Sequence, residues 1–349
     1  MAFDPAQEEY RRLSLRFART QEIGDAYTAT RAAAAFRRRF AWNHDSLPQT
    51  DQDRAFHLVA RASELVDREL PFAEDGDVAG LVAEARSLLE EAVSLDPECH
   101  DARRMLAAQE CPSFEEHYRF LVDNVDEVRG RTLARRNEAL ASGRTGADIE
   151  ARLVSYPLYR WLASLAARAL VCGRYRKSLE FCREVLEMDP KDHADARFTA
   201  YLALAKLEDA DGLEALADHA ARNVPHRPAP DAWLLIASMA LAARRGDRQG
   251  AHRHLQALLD GYPHAGMVLS SQSELPDGVF ARLAVEPYSN DELVLAVSES
   301  SVVFQEGVDL KGMGALGSFV AADPSVVSAR ISDEMSLGRT QDAVTDWRG

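Results

Sequence analysis

Apolar residues recur along this chain at the three- and four-residue spacing of a helix face, and alternation of the strand type is rare. The pattern is clearest from Leu162 to Pro190, LASLAARALVCGRYRKSLEFCREVLEMDP. Leu162, Leu165, Ala166 and Ala169 form one stripe. Gly173 breaks it, and Tyr175, Ser178, Leu179, Cys182, Val185 and Leu186 form a second. Asp189-Pro190 closes the segment, because proline cannot continue a helix and restricts the residue before it. The segment therefore reads as helix, tight turn, helix and stop. The small residues Ala166, Ala169 and Ser178 allow the two helices a close approach, with larger neighbours filling the remaining space.

The same reading extends to both sides. Residues 1–46 carry helical pattern and many arginines, including Arg37-Arg38-Arg39, and are expected to cap the array. After the break at Ser46-Leu47-Pro48, Thr50 or Asp51 caps a helix running to about Leu70, with Phe56, Val59, Ala60, Ser63 and Val66 inward. Leu81–Leu95 ends in Asp96-Pro97, parallel to the ending at Asp189-Pro190. Asp101–Glu110 is helical. Ser113 with Glu116 opens another helix as a capping box, and residues 129–150 read as a charged insertion. Asp192–Leu207 and the segment DADGLEALADHAARN follow, then a proline-rich connector at 223–230. Gly246, Ala251, Leu255, Leu258 and Pro263 each lie 73 residues after Gly173, Ser178, Cys182, Val185 and Pro190. Beyond Gly266 the pattern weakens. Ser289 and Glu292 form another capping box before ELVLAVSESSVVF, a run whose β-branched residues fit helix or strand and which is expected to be helical. A final helix is expected over 324–349, with a frayed end. The fold class that follows is all-α: a helical-hairpin solenoid at 47–265 between extra N- and C-terminal helices at 1–46 and 266–349.

Hairpins of this period, with their Gly, Tyr, small-residue and Pro positions, resemble tetratricopeptide repeats. Over residues 80 to 320 the chain resembles bacterial tetratricopeptide proteins related to the suppression-of-tumorigenicity family. The likeness is carried by Leu95-Asp96-Pro97, Pro157 with Arg160, Gly173-Arg174, Met188-Asp189-Pro190 with Asp192, Arg197, and Pro263-His264. The family's Asn-Gln-Gly run before that arginine is replaced by His193-Ala194-Asp195-Ala196. The resemblance implies a helical scaffold and no defined activity.

Composition narrows the function classes. The hydrophobic fraction is 46% and aromatics are 7%, which suits Ala- and Leu-packed helices. The formal net charge of −15 argues against nucleic-acid binding, which needs a basic footprint. Charge is uneven: residues 1–50 carry eight Lys/Arg against six Asp/Glu, and residues 264–349 carry five against thirteen. The four cysteines, Cys99, Cys111, Cys172 and Cys182, form no CxxC pair and are read as structural thiols in a reduced compartment. The opening MAFDPAQEEYRRL has no apolar signal core, and no run is long enough to span a bilayer, so a cytoplasmic location without membrane contact is expected.

No motif carries chemistry. HExxH, GxSxG and GxxxxGK[ST] are absent. Gly312, Gly314 and Gly317 have GxGxxG spacing but no strand before them, and read as a tight helix entry. His252 and His254 lie i, i+2 on a helix and face apart, so no metal site or cofactor is expected. The expectation is a non-catalytic scaffold that binds a protein or peptide on the faces of its first helices. Arg160, Arg197, Tyr201 and Arg244 are the candidate contacts, with Trp233 assigned to the core. The arginines either contact a peptide or brace helix stacking through internal ion pairs. The Lys and Asn types that clamp a terminal carboxylate in the family's chaperone-binding members are missing from these positions, so a chaperone tail is disfavoured. Two alternatives remain: an enzyme or accessory domain with its site in 270–349, and a self-associating structural protein such as a homodimer.

Overall fold

A computed structural model describes residues 4–21, 25–224, 230–275, 285–307 and 313–346, with side chains to residue 337. Most of the proline-rich connector (225–229), Gly312 and the chain end at 347–349 lie outside the described residues. Among the described residues there are seventeen α-helices and no strand. The protein is all-α, built from consecutive helices packed in adjacent pairs. The β-branched run after Ser289 is helical. Contacts divide the chain into two compact units, Met1–Arg168 and Ala169–Gly349.

The first unit contains α1 (Pro5–Arg19), α2 (Ala26–Asn43), α3 (Asp51–Glu64), α4 (Asp75–Leu95), α5 (His100–Glu110) and α6 (Phe114–Ala141), together with most of α7 (Ala147–Val171). Side-chain caps mark the starts. Asp4 accepts from the Gln7 N–H, Thr50 and Asp53 form a reciprocal box at α3, and Ser113 accepts from the Glu116 N–H. Each satisfies an N–H that the first helical turn leaves without a partner. The helix expected to run to about Leu70 ends at Glu64 and continues as a π turn, Leu65–Glu69, and a 3₁₀ turn, Leu70–Phe72; Pro71 has no N–H to extend it. Ala55, Val59, Ala85, Leu89 and Ala92 make the α3–α4 core. The charged stretch at 129–150 is helical apart from a link at 142–146. Val128, Thr132 and Ala139 are buried, so one face of α6 continues to its end.

Pro157 lies inside α7, ten residues after its start. Proline cannot donate to the carbonyl four residues back. That carbonyl, Leu153 O, instead accepts from Arg12 Nη2 on α1 at 3.1 Å.

The second unit contains α8 (Tyr175–Met188), α9 (Ala196–Leu207), α10 (Ala210–Asn223), α11 (Ala232–Arg244), α12 (Arg248–Gly261), α13 (Ala265–Ser270), α14 (Asn290–Glu299), α15 (Ser301–Phe304), α16 (Ala315–Ala322) and α17 (Pro324–Asp346). Helix α9 packs on α8 and α11, α11 on α12, and α13 on α17. The 73-residue echo is structural. Gly173 and Gly246 both take the left-handed conformation, with φ of 74° and 75°. The next residues, Arg174 and Asp247, donate back to Ala169 O and Ala242 O at 2.8 and 2.9 Å. Only glycine adopts that conformation without steric cost. Ser178 and Cys182 are fully buried, as their small size requires. Gly314 precedes α16 as its N-cap with no strand before it.

Candidate functional site

Arg160 is 8% exposed. Its guanidinium donates from Nε to Asp101 Oδ1 at 2.7 Å, from Nη2 to Asp101 Oδ2, and from Nη1 to Glu8 Oε2 at 2.8 Å. Glu8 Oε1 in turn accepts from Arg12 at 2.9 and 2.6 Å. Helices α1, α5 and α7 thus meet on one buried charge network. Burial alone would raise the Asp101 carboxyl, but the charges of Arg160 and Arg104 outweigh it and hold its pKa down at about 2.

Arg197 is 2% exposed. It donates to Asp192 at 2.7 Å and Asp195 at 3.1 Å, and its Nε lies 3.8 Å from Asp231. The guanidinium also stands 4.0 Å from the centre of the Phe198 ring. Asp192 and Asp195 both have left-handed backbones. The Asp192 carboxylate accepts from the Ala196 N–H at 2.7 Å, so one loop both starts α9 and neutralises its arginine. Tyr201, 1% exposed, is one helical turn further on, and burial together with the Asp231 charge raises its hydroxyl pKa. Trp233 is core: it stacks on Phe198 with ring centres 3.8 Å apart, and its Nε1–H donates to Glu299 at 2.8 Å. Of the four candidate contacts, Arg160, Arg197 and Tyr201 therefore sit inside the protein, and the two arginines hold internal ion pairs.

Arg244 stands at a surface. It edges a groove of about 390 Å³ formed by α11, α12, α15 and α16, with Ala240, Ala243, Ala251, Val303, Leu316 and Phe319 as its apolar lining. Arg244 donates to Glu208 Oε1 at 3.0 Å and to Glu306 Oε2. Lys206 Nζ holds Glu306 from the other side at 3.0 Å. Burial would raise the Glu306 carboxyl, and these two cations bring it below its ordinary value. Arg248 lines the same groove. It is exposed and forms no ion pair among the described residues. The groove thus offers an alanine-floored trough with one clamped and one open guanidinium.

The first unit holds a more polar cleft of about 360 Å³, lined by Arg12, Arg16, Cys99, His100, Asp101 and Arg135 among others. Arg12, Arg16, Arg135 and Arg144, all at this cleft, pair with Glu8, Asp53, Glu98 and Glu150. Burial pushes the Cys99 thiol up to about 12, and burial with the charge of Arg103 lowers His100. The thiol is therefore not the nucleophilic thiolate at neutral pH, and Asp101 is a weakly basic carboxylate.

The sequence pattern named Arg244 as a candidate contact but missed Arg248, Leu316 and Phe319. Leu316 and Phe319 belong to α16, whose entry at Gly314 was the one legible sign of a helix there. No family model, curated protein or solved structure matches the chain. Among the described residues, no helix is long and apolar enough to cross a membrane.

Proposed function

We propose that the protein is a non-catalytic, tetratricopeptide-like helical scaffold that binds a short peptide segment of a partner in the α11–α12–α15–α16 groove. The observation that carries this is an apolar trough whose rim presents Arg244 and Arg248, while Arg160 of α7 and Arg197 of α9 are enclosed. In this reading Arg160, Arg197 and Tyr201 hold the frame. Ala240, Ala243 and Phe319 accept an apolar side chain, and Arg248 pairs with a carboxylate of the peptide. Arg244 keeps the rim in shape through Glu208 and Glu306. A cytoplasmic location without nucleic-acid or membrane contact remains part of the proposal.

The test is a displayed random peptide library panned against wild type and Arg248→Glu. Peptides pairing an apolar with an acidic residue are expected from wild type and not from the variant. If both proteins select the same sequences, the groove is not the binding surface. A second reading, self-association, is favoured by three aromatic side chains of the first unit that face solvent: Trp42 at 91%, Phe72 at 75% and Tyr27 at 69% exposed. Sedimentation equilibrium separates the readings: a concentration-dependent dimer that Trp42→Ala dissociates supports self-association.

A further inference from the structure

Three helical segments of the first unit bring one carboxylate and two imidazoles together. Glu9 is on α1, His44 follows α2 directly, and His57 is on α3. Glu9 Oε2 is 2.7 Å from His44 Nε2, and Glu9 Oε1 is 2.8 Å from His57 Nδ1. The three donor atoms lie within 4.8 Å of one another. The Glu9 carboxylate is 2% exposed, and His57 and His44 are 13% and 31% exposed. Each imidazole also has a far nitrogen, and both far nitrogens face one second carboxylate. Asp45 Oδ1 is 3.8 Å from His44 Nδ1 and 3.7 Å from His57 Nε2.

A carboxylate only accepts hydrogen bonds. Without a metal, a proton on each near nitrogen makes both contacts to Glu9 hydrogen bonds and leaves the far nitrogens as bare acceptors toward Asp45. The other tautomer turns both N–H groups toward Asp45 and both near lone pairs toward Glu9, the arrangement in which a divalent ion bound by Glu9 and the near nitrogens takes the place of the two near protons. Asp45 then stands where an outer carboxylate orients metal-bound histidines by accepting their other N–H. The Phe40 ring lies against His44 with ring centres 4.4 Å apart and planes tilted by 44°, and shields one side.

We infer that Glu9, His44 and His57 form a binding site for a zinc-class divalent transition metal, with Asp45 as the outer partner that orients both histidines. Two nitrogens and one carboxylate oxygen suit zinc, cobalt or nickel; magnesium and calcium prefer all-oxygen sets. Three protein ligands leave a fourth position for water. The inference is independent of the peptide groove, since the ligands and the groove belong to different units.

The experiment is calorimetric titration of the full chain, stripped with a chelator, with zinc ion alone. It is paired with cobalt ion, whose visible absorption reports coordination geometry. Wild type is expected to bind one zinc and to show the intense band of four-coordinate cobalt, and magnesium is expected not to compete. His44→Ala and His57→Ala should each abolish the band. Asp45→Asn, at an exposed position outside the donor set, should weaken zinc by about 10–100-fold. Circular dichroism of the metal-free variants shows that each still folds. Absence of zinc binding by folded wild type overturns the inference, as does unchanged affinity in a folded His44→Ala/His57→Ala protein.

Discussion

At the scale of single residues, Arg160 and Arg197 show how far a side chain's role depends on partners distant in sequence. Arg160 meets carboxylates 59 and 152 residues away. A cation removed from such a network leaves its anions buried and unpaired, so Arg160→Met should lower unfolding free energy by about 3–5 kcal/mol. Urea denaturation measures it; a loss below about 1 kcal/mol would contradict the network described. The network also sets a pH response. Asp101 has a folded pKa of about 2, against about 3.9 in an unfolded chain. The stability it contributes is therefore complete above about pH 4 and is lost as pH falls toward 2. Denaturation midpoints taken at steps from pH 5 to pH 2.5 should fall steeply in wild type and less steeply in Asp101→Asn. Equal slopes would mean that other carboxylates govern the acid response. Sequence alone could weigh bracing against ligand contact for these arginines but could not choose, because nothing local reveals which carboxylates converge. Glu9, His44 and His57 were hidden for the same reason: His44 and His57 lie 35 and 48 residues from Glu9 and match no local ligand spacing.

At the scale of elements, the helices were legible where chemistry is local. Thr50, Ser113 and Ser289 each cap the helix that follows, and Gly173 and Gly246 mark equivalent turns. The start of α7 was not legible. Pro157 signals a break, and the Arg12 guanidinium from α1 satisfies the carbonyl that the proline leaves free. Gly266 shows a second constraint that spacing does not carry. A Cβ there would lie 2.3 Å from the backbone nitrogen of Arg330 on α17. Backbone cannot move aside as a flexible side chain does, so α13 and α17 approach at a distance only glycine permits. Gly266→Ala should destabilise the second unit by about 1–3 kcal/mol through overpacking. Gly261→Ala, with open space around it, serves as the neutral control. If both variants melt at the wild-type temperature, the close approach is wrong.

At the scale of the whole molecule, the net charge of −15 sets a self-repulsion that the buried pairs do not relieve. Added salt screens exposed charges over about 8–10 Å at physiological strength and barely touches enclosed ones. Melting temperature should therefore rise by a few degrees between low and moderate sodium chloride, read by calorimetry. A fall would mean that surface ion pairs outweigh the repulsion. The all-α class was readable because helical periodicity is a property of each segment, whereas the division at residue 168 depends on which segments touch and leaves no mark in α7 itself.

The Glu8–Arg160–Asp101 network has a consequence for the order in which the protein is made. Glu8 and Asp101 leave the ribosome before their shared cation does. During that interval α1 lacks both the Arg160 clasp and the Leu153 carbonyl to which Arg12 donates. Long-range contacts of this kind close late, after the local hairpins have formed. Nascent chains halted before residue 160 should therefore carry α3 and α4 already paired and α1 held by α2 and α3 alone, and synthesis past Arg160 is the step that ties α1 to α5 and α7.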